Sequence, residues 1–212
     1  MSSAPDRPPE RSARKRGAPA SVEAARASLT RERWIEAATE VLVDQGIDHV
    51  RVDVLARQMA VTRGSFYWHF KDREELLAGV LRSWHENATE QLTLRLDRPQ
   101  VDAREQLRDV LSLPFRGRAA ARAARIELAI RAWARRDLQV RHAVDASDAA
   151  RIGYIAQLFS ALGFAVGDAR ARAFMLYSYV VGESLMATQG SAAQRRDRCV
   201  AVERLLIGDA PR

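Results

Sequence analysis

Residues 62–71 read Thr-Arg-Gly-Ser-Phe-Tyr-Trp-His-Phe-Lys, which gathers hydroxyl, indole, imidazole and cationic groups around one glycine. Phe66 and Phe70 stand four apart, so on a helix they share a side and must point inward. An ideal wheel then places Gly64, Ser65 and Trp68 on the opposite side, with Tyr67 and His69 on the flanks. A tryptophan turned to solvent on a short helix usually meets a partner. The chemistry that suits this set is the groove of a nucleic-acid duplex. Gly64 permits close approach, Ser65 can bond a base or a phosphate, and Trp68 can pack on a thymine methyl or the sugar-phosphate wall. Arg63 can reach a guanine edge, although the wheel puts it on the core side and only its place in the first turn lets it swing out. Tyr67 and His69 suit phosphate oxygens, and Lys71 with the N–H groups that open the next helix makes a compact anion site. Arg51 is a further phosphate candidate, with Asp53 close by as a competing partner.

The elements that must hold this set are legible around it. Trp34, Ile35, Ala38, Val41 and Leu42 recur at helical spacing, with Thr30 as N-cap and Gly46 as terminator. Val54, Leu55 and Met59 make a short second stripe that stops at Ala60-Val61, and Thr62 can cap a third helix of about eight residues from Arg63. Asp72 can cap a long helix through Leu76, Leu77, Val80, Leu81 and Trp84. Two short helices at a sharp turn match helix-turn-helix geometry, in which the second enters the major groove.

The run Val50-Arg51-Val52-Asp53-Val54-Leu55-Ala56-Arg57, followed by Val61-Thr62-Arg63-Gly64-Ser65-Phe66-Tyr67-Trp68-His69-Phe70-Lys71-Asp72-Arg73-Glu74-Glu75-Leu76-Leu77, resembles the DNA-binding domain of the TetR family of bacterial transcriptional regulators. The resemblance covers residues 29–89. It implies that Tyr67 and His69 are the family's recognition-helix Tyr and His, that Lys71 binds phosphate, and that Thr62, Arg63, Gly64, Ser65 and Trp68 occupy base-reading positions. The family often has Gly where this chain has Ala60, at the turn between the short helices. The resemblance further implies that helices over 168–189 and 192–207 pair with a second copy. Two-fold symmetry would then set two recognition helices on a pseudo-palindromic operator.

Residues 102–208 show helical periodicity throughout, so the expected fold is all-α. An N-terminal three-helix helix-turn-helix domain over 29–89 precedes a C-terminal helical bundle for ligand binding and dimerisation over 90–212. In this family the middle helices commonly enclose a small-molecule pocket. Here Trp84, Phe115, Trp133, Tyr154, Phe159 and Tyr177 supply aromatic material, and Glu183 could orient a polar ligand, although such side chains more often fill a core. The expected function is a homodimeric repressor released from its operator by a small-molecule effector. The alternatives are an activator or a protein-gated regulator of the same fold, and more remotely a helical enzyme. No GxSxG, HExxH, phosphate-loop or dinucleotide fingerprint is present, and neither enzymatic activity nor a cofactor or metal is expected.

Composition bounds these readings. The 212 residues carry 47% hydrophobic and 29% charged side chains with only 11 Gly and 7 Pro, a balance that favours helix. The net charge of +7 suggests a polyanionic partner, yet residues 29–78 hold seven basic against nine acidic side chains, which argues against nonspecific coating of DNA. Residues 1–28 hold four of the seven prolines and no apolar periodicity, and are expected to form a disordered basic arm whose Arg11, Arg14, Lys15 and Arg16 could follow a phosphate backbone. Arg116, Arg118, Arg122, Arg125, Arg131, Arg135 and Arg136, against Glu127, read as a basic helix face, usually solvated but open to an acidic ligand or DNA. Cys199 stands alone, so no disulfide framework or cysteine zinc site is available. With no long apolar span and no signal-type leader, a cytoplasmic protein without membrane association is expected.

Overall fold

The computed structural model describes residues 30–96, 101–186 and 189–208. The proposed arm over 1–28 lies outside the described residues. Among those described, the order is α1 (Arg31–Gln45), a 3-10 turn (Ile47–His49), α2 (Val52–Gln58), α3 (Arg63–Phe66), α4 (Arg73–Leu96), α5 (Ala103–Leu111), a second 3-10 turn (Leu113–Phe115), α6 (Gly117–Ala134), α7 (Leu138–Ala161), α8 (Val166–Leu185) and α9 (Ala192–Ile207). The fold is all-α. No helix among the described residues is long and apolar enough to cross a membrane.

Local signals set many of the ends. The Thr30 side chain accepts from the Arg33 N–H, and Gly46 terminates α1 at φ 85°, a left-handed value that a glycine adopts without strain. Asp137 caps α7 through the N–H groups of Gln139 and Val140, and Ser191 with Gln194 forms a reciprocal capping box at α9. The α8 helix spans Val166–Leu185 rather than 168–189; Ala165 at its N-cap offers no side-chain acceptor, so the sequence holds no local mark of that boundary.

Two apolar clusters form. The first joins Trp34, Leu42, Leu55, Phe66, Phe70 and Leu76 and crosses the expected boundary at residue 89 to take in Ile130, Trp133 and Val144 of α6 and α7. The second lies among α5, α7, α8 and α9, around Leu107, Leu111, Phe159, Leu176 and Ile207. The N-terminal helices are therefore seated directly on α6 and α7.

The basic run along α6 differs from its sequence reading. Arg122 pairs with Glu40, Arg125 with Asp44 at 2.6 Å, and Arg136 with Asp48 at 2.6 Å, while Arg131 turns inward to Asp148 at 2.5 Å. Arg116 pairs with Asp109 at 3.1 Å. Glu127 on α6 itself also meets Arg131, and Asp109 lies seven residues from Arg116, but Glu40, Asp44 and Asp48 sit far along the chain, where local charge counting does not register them.

Candidate nucleic-acid interface

The α3 segment owes its orientation to its two phenylalanines. Phe66 has 0% exposure, meets the Trp34 ring edge-on at 5.3 Å and stacks on Phe70 at 5.4 Å. Such aromatic contacts add about 0.5–1.5 kcal/mol each beyond burial. With both rings held inward, Trp68 is 87% exposed and Tyr67 58% exposed, and Thr62, Arg63 and Gly64 also face solvent. Ser65 and His69 are half-buried beside them. Arg63 thus does swing outward from the first turn.

Three local details depart from the sequence reading. The α-helix proper covers only Arg63–Phe66 and continues as a turn to His69, instead of running about eight residues. Thr62 takes the N-cap position with extended backbone but its hydroxyl caps nothing; the Ser65 hydroxyl donates to the Thr62 carbonyl at 2.6 Å. The expected anion site at the start of α4 is partly occupied by the chain's own carboxylates. The Lys71 N–H donates to Glu75 Oε2 at 2.8 Å and the Glu75 N–H to Asp72 Oδ1 at 2.8 Å, so Lys71 offers an exposed ammonium rather than a nest of open donors. That backbone hydrogen bond, with help from Arg31, holds the Glu75 carboxyl below its ordinary range.

The turn between α2 and α3 is closed by Ala60 at φ 55°. The Val61 N–H reaches the Ala56 carbonyl at 2.9 Å and the Ala60 N–H reaches Arg57 at 3.1 Å, which together make a Schellman closure with a non-glycine in its left-handed position. Arg51 is exposed and engaged by Asp53 at 3.2 Å, the competing partner foreseen for it.

Two positioning arginines escaped the sequence reading. Arg31 donates to the His69 carbonyl at 2.6 Å and to Glu75 at 2.8 Å, with its guanidinium 4.2 Å from the Phe70 ring centre, so it ties the starts of α1 and α4 to the recognition turn. Arg73 donates to the Val50 and Ile47 carbonyls at 2.6 and 2.8 Å and pins α4 to the first 3-10 turn. Only the Asp72-x-x-Glu75 spacing, a capping signature, pointed toward this cluster.

Residues 35–80 match the profile of bacterial regulatory proteins of the tetR family. The regulator SrpR of Pseudomonas putida is 50% identical over 60 residues, a segment that makes up 28% of each chain. The chain carries a tetR-type segment over residues 35–80. Its likeness to that curated relative thus spans little more than a quarter of the relative's length. Fold similarity extends further. The reduced form of NemR from E. coli superimposes with a TM-score of 0.70 at 17% identity, covering 86% of this chain and 99% of that one. A transcriptional regulator from Saccharomonospora viridis in complex with choline gives 0.69 at 19% identity, covering 84% and 95%.

The side chains singled out for ligand contact divide between the two apolar clusters and their margins. Trp84 and Trp133 belong to the first apolar cluster, and the Trp84 indole N–H donates to Glu127 at 3.0 Å. Phe159 is fully buried in the second cluster, and the Tyr154 hydroxyl there donates to Gln106 at 2.7 Å. Tyr177 donates to Asp148 at 2.6 Å and accepts from Arg151 at 3.0 Å. Glu183 is buried at the junction of α8 and α9, where Arg195 and Arg198 reach it at 2.6 and 3.0 Å, and Phe115 lies 5.1 Å from the same Arg195 guanidinium. Burial pushes the Glu183 carboxyl up, but the two arginines outweigh it and hold it below its ordinary range. Trp84 and Tyr177 are joined through Glu127 and Arg151, and Phe115 and Glu183 through Arg195.

Proposed function

We propose that the chain is a sequence-specific DNA-binding regulator that reads its operator as a homodimer and is released from it, as a repressor, by a small-molecule effector. The observation that carries the reading is the exposed face of Arg63, Gly64, Tyr67, Trp68 and Lys71, held outward by Phe66 and Phe70. Thr62, Arg63, Gly64, Ser65 and Trp68 are assigned to base edges. Tyr67, His69, Lys71 and Arg51 are assigned to phosphates, where they set register and not sequence. Arg51 must exchange Asp53 for a phosphate.

Dimerisation is supported by the last two helices. Phe174 is 61% and Leu205 71% exposed, with Met175, Leu185 and Val200 also open on α8 and α9. Large apolar side chains concentrated in this way mark an association surface. An effector is supported more indirectly. One fold neighbour holds choline, and another, FadR of Bacillus subtilis, holds stearoyl-CoA. A ligand that drives occupancy from 99:1 to 1:99 must prefer the released state by about 5.5 kcal/mol.

Binding-site selection from random duplexes tests the reading. The wild-type chain should enrich a pseudo-palindrome, and Trp68→Ala should relax or abolish that preference while the chain stays folded; an unchanged preference removes this face from recognition. Lys71→Ala should weaken binding to all sequences and shrink the slope of log affinity against log salt by about one unit. An unaltered slope takes Lys71 off the phosphate list.

A further inference from the structure

The seam between α1 and α6 carries an arrangement that DNA reading alone does not explain. Glu40, Asp44 and Asp48 stand four residues apart, the first two on α1 and the third in the 3-10 turn beyond Gly46. Each is met by a different arginine, Arg122 and Arg125 on α6 and Arg136 in the link from α6 to α7. Arg122 places both Nε and Nη2 on Glu40 Oε1, the Nε at 3.1 Å. Arg125 Nη2 lies 2.6 Å from Asp44 Oδ1, and Arg136 Nη1 lies 2.6 Å from Asp48 Oδ2. That last contact holds the Asp48 carboxyl below its ordinary range. Beside these pairs runs a groove of about 490 Å³, lined by Leu42 and Ile47 on one side and Leu128, Ala129 and Trp133 on the other.

Apolar contact is non-directional and tolerates sliding, whereas charged pairs at separated points define a rotation. Glu40 and Asp44 are four residues apart on α1, a lever of about 6 Å at helical rise, and Asp48 adds a third point beyond the turn at Gly46. We infer that these three pairs set the angle at which α6 carries the reading head, which makes Glu40, Asp44, Asp48, Arg122, Arg125 and Arg136 positioning residues for DNA recognition. The inference rests on the DNA-binding reading above and adds the means by which the spacing of two recognition segments is fixed. It also gives the acidic residues of the N-terminal domain a task. They weaken the domain's general attraction to phosphate, and in return they dock it.

Each exposed pair changes an equilibrium by a factor of about 1.5 to 5, so two acting together reach about tenfold. The test uses the full chain in four forms: wild type, E40R/D44R, R122E/R125E, and the quadruple swap that combines them. The swap has the wild-type net charge. The probes are the duplex obtained by selection and the same duplex with one base pair inserted between its half-sites, a rotation of roughly 34°. Wild type should prefer the parent spacing. Either half-reversal should cut that preference about fivefold to tenfold, and the swap should return it to within about twofold of wild type. Simple phosphate attraction predicts otherwise: E40R/D44R would tighten and R122E/R125E would weaken binding to both duplexes, with the spacing preference intact. That pattern overturns the proposal, as does a folded swap that fails to restore the preference.

A DNA-independent arm separates the two readings. Amide hydrogen exchange in α1 and the Ile47–His49 turn should quicken in both half-reversals and recover in the swap. If wild type selects no duplex, the DNA-binding reading falls and takes the positioning role with it, while exchange still reports whether the pairs hold the seam. Unchanged exchange in both half-reversals rejects the docking itself.

Discussion

Residues 62–71 and the junction of α6, α7 and α8 are both rich in polar side chains, and they use them in opposite ways. At the recognition segment the side chains of Arg63, Trp68 and Lys71 stand exposed. At the junction Arg131 reaches Glu127 at 2.8 Å and Asp148 at 2.5 Å, Arg151 reaches Glu127 at 3.2 Å, and the Tyr177 hydroxyl bridges Asp148 and Arg151. Burial, joined by the Asp148 hydrogen bond, pushes the Tyr177 hydroxyl up to about 12. The contrast separates side chains open to solvent from side chains engaged with one another, where the buried Arg131 Nε alone of that group is left without a partner. An effector entering between α6, α7 and α8 would have to replace bonds the helices make with one another, so only a ligand with polar groups of its own could do so without stranding a charge.

The comparison breaks most sharply at two aromatics that stand two residues apart. Phe66→Ala removes a fully buried ring that holds Trp34 and Phe70, and should cost about 3–5 kcal/mol in urea or thermal unfolding. Trp68→Ala removes a larger ring that is 87% exposed, and should change stability by no more than about 0.5 kcal/mol. If Trp68→Ala proves as damaging to the fold as Phe66→Ala, the indole is an anchor and the exposed face is not a binding face.

The difference between the two regions also governs what the sequence could disclose. The inward pair Phe66 and Phe70 and the outward set of Gly64 and Trp68 follow from spacing within one turn or two, and the structure keeps them. The start of α9 at Ala192 is likewise marked on the spot by Ser191 with Gln194. What spacing does not encode is pairing at long range. Arg31 meets His69 across 38 residues and Arg122 meets Glu40 across 82, and both arginines look like solvated helix surface when read locally. The same blindness affected the aromatic side chains of the C-terminal helices. Their types were visible, but which of two cores each would join depends on how α6 and α7 are shared between them.

Acid should act on the fold through its satisfied carboxyls. Glu75, Asp148 and Glu183 are all held below the ordinary carboxyl range: Glu75 by the Lys71 N–H and Arg31, the other two by arginines, with Tyr177 assisting at Asp148, against the upward push of burial. For a carboxyl with a lowered folded value, the stabilisation is fully present above the unfolded value of about 4 and is lost as pH falls through the folded one. Unfolding midpoints in urea should therefore hold steady down to about pH 4.5 and decline below it. Glu183→Gln should flatten part of that decline. A profile already sloping between pH 6 and 8 would point to histidines as the controlling groups instead.

The smallest effect tests the turn that aims the recognition segment. Ala60 closes it at φ 55°, where the single Cβ of an alanine carries a strain of about 1 kcal/mol. Ala60→Gly removes that strain, but it also frees the unfolded chain by about 0.4–1 kcal/mol, so the net gain should not exceed about 0.5 kcal/mol. In a chain of this size that is a rise in melting temperature of about 1–2 °C. Ala60→Val supplies the opposite sign, because a β-branched side chain tolerates the left-handed region worse than alanine does. A glycine that stabilises and a valine that destabilises, measured side by side, establish that the Schellman closure persists in solution. Should valine be harmless there, the turn is not left-handed, and the angle between α2 and α3 that presents Gly64 and Trp68 is set by something other than this residue.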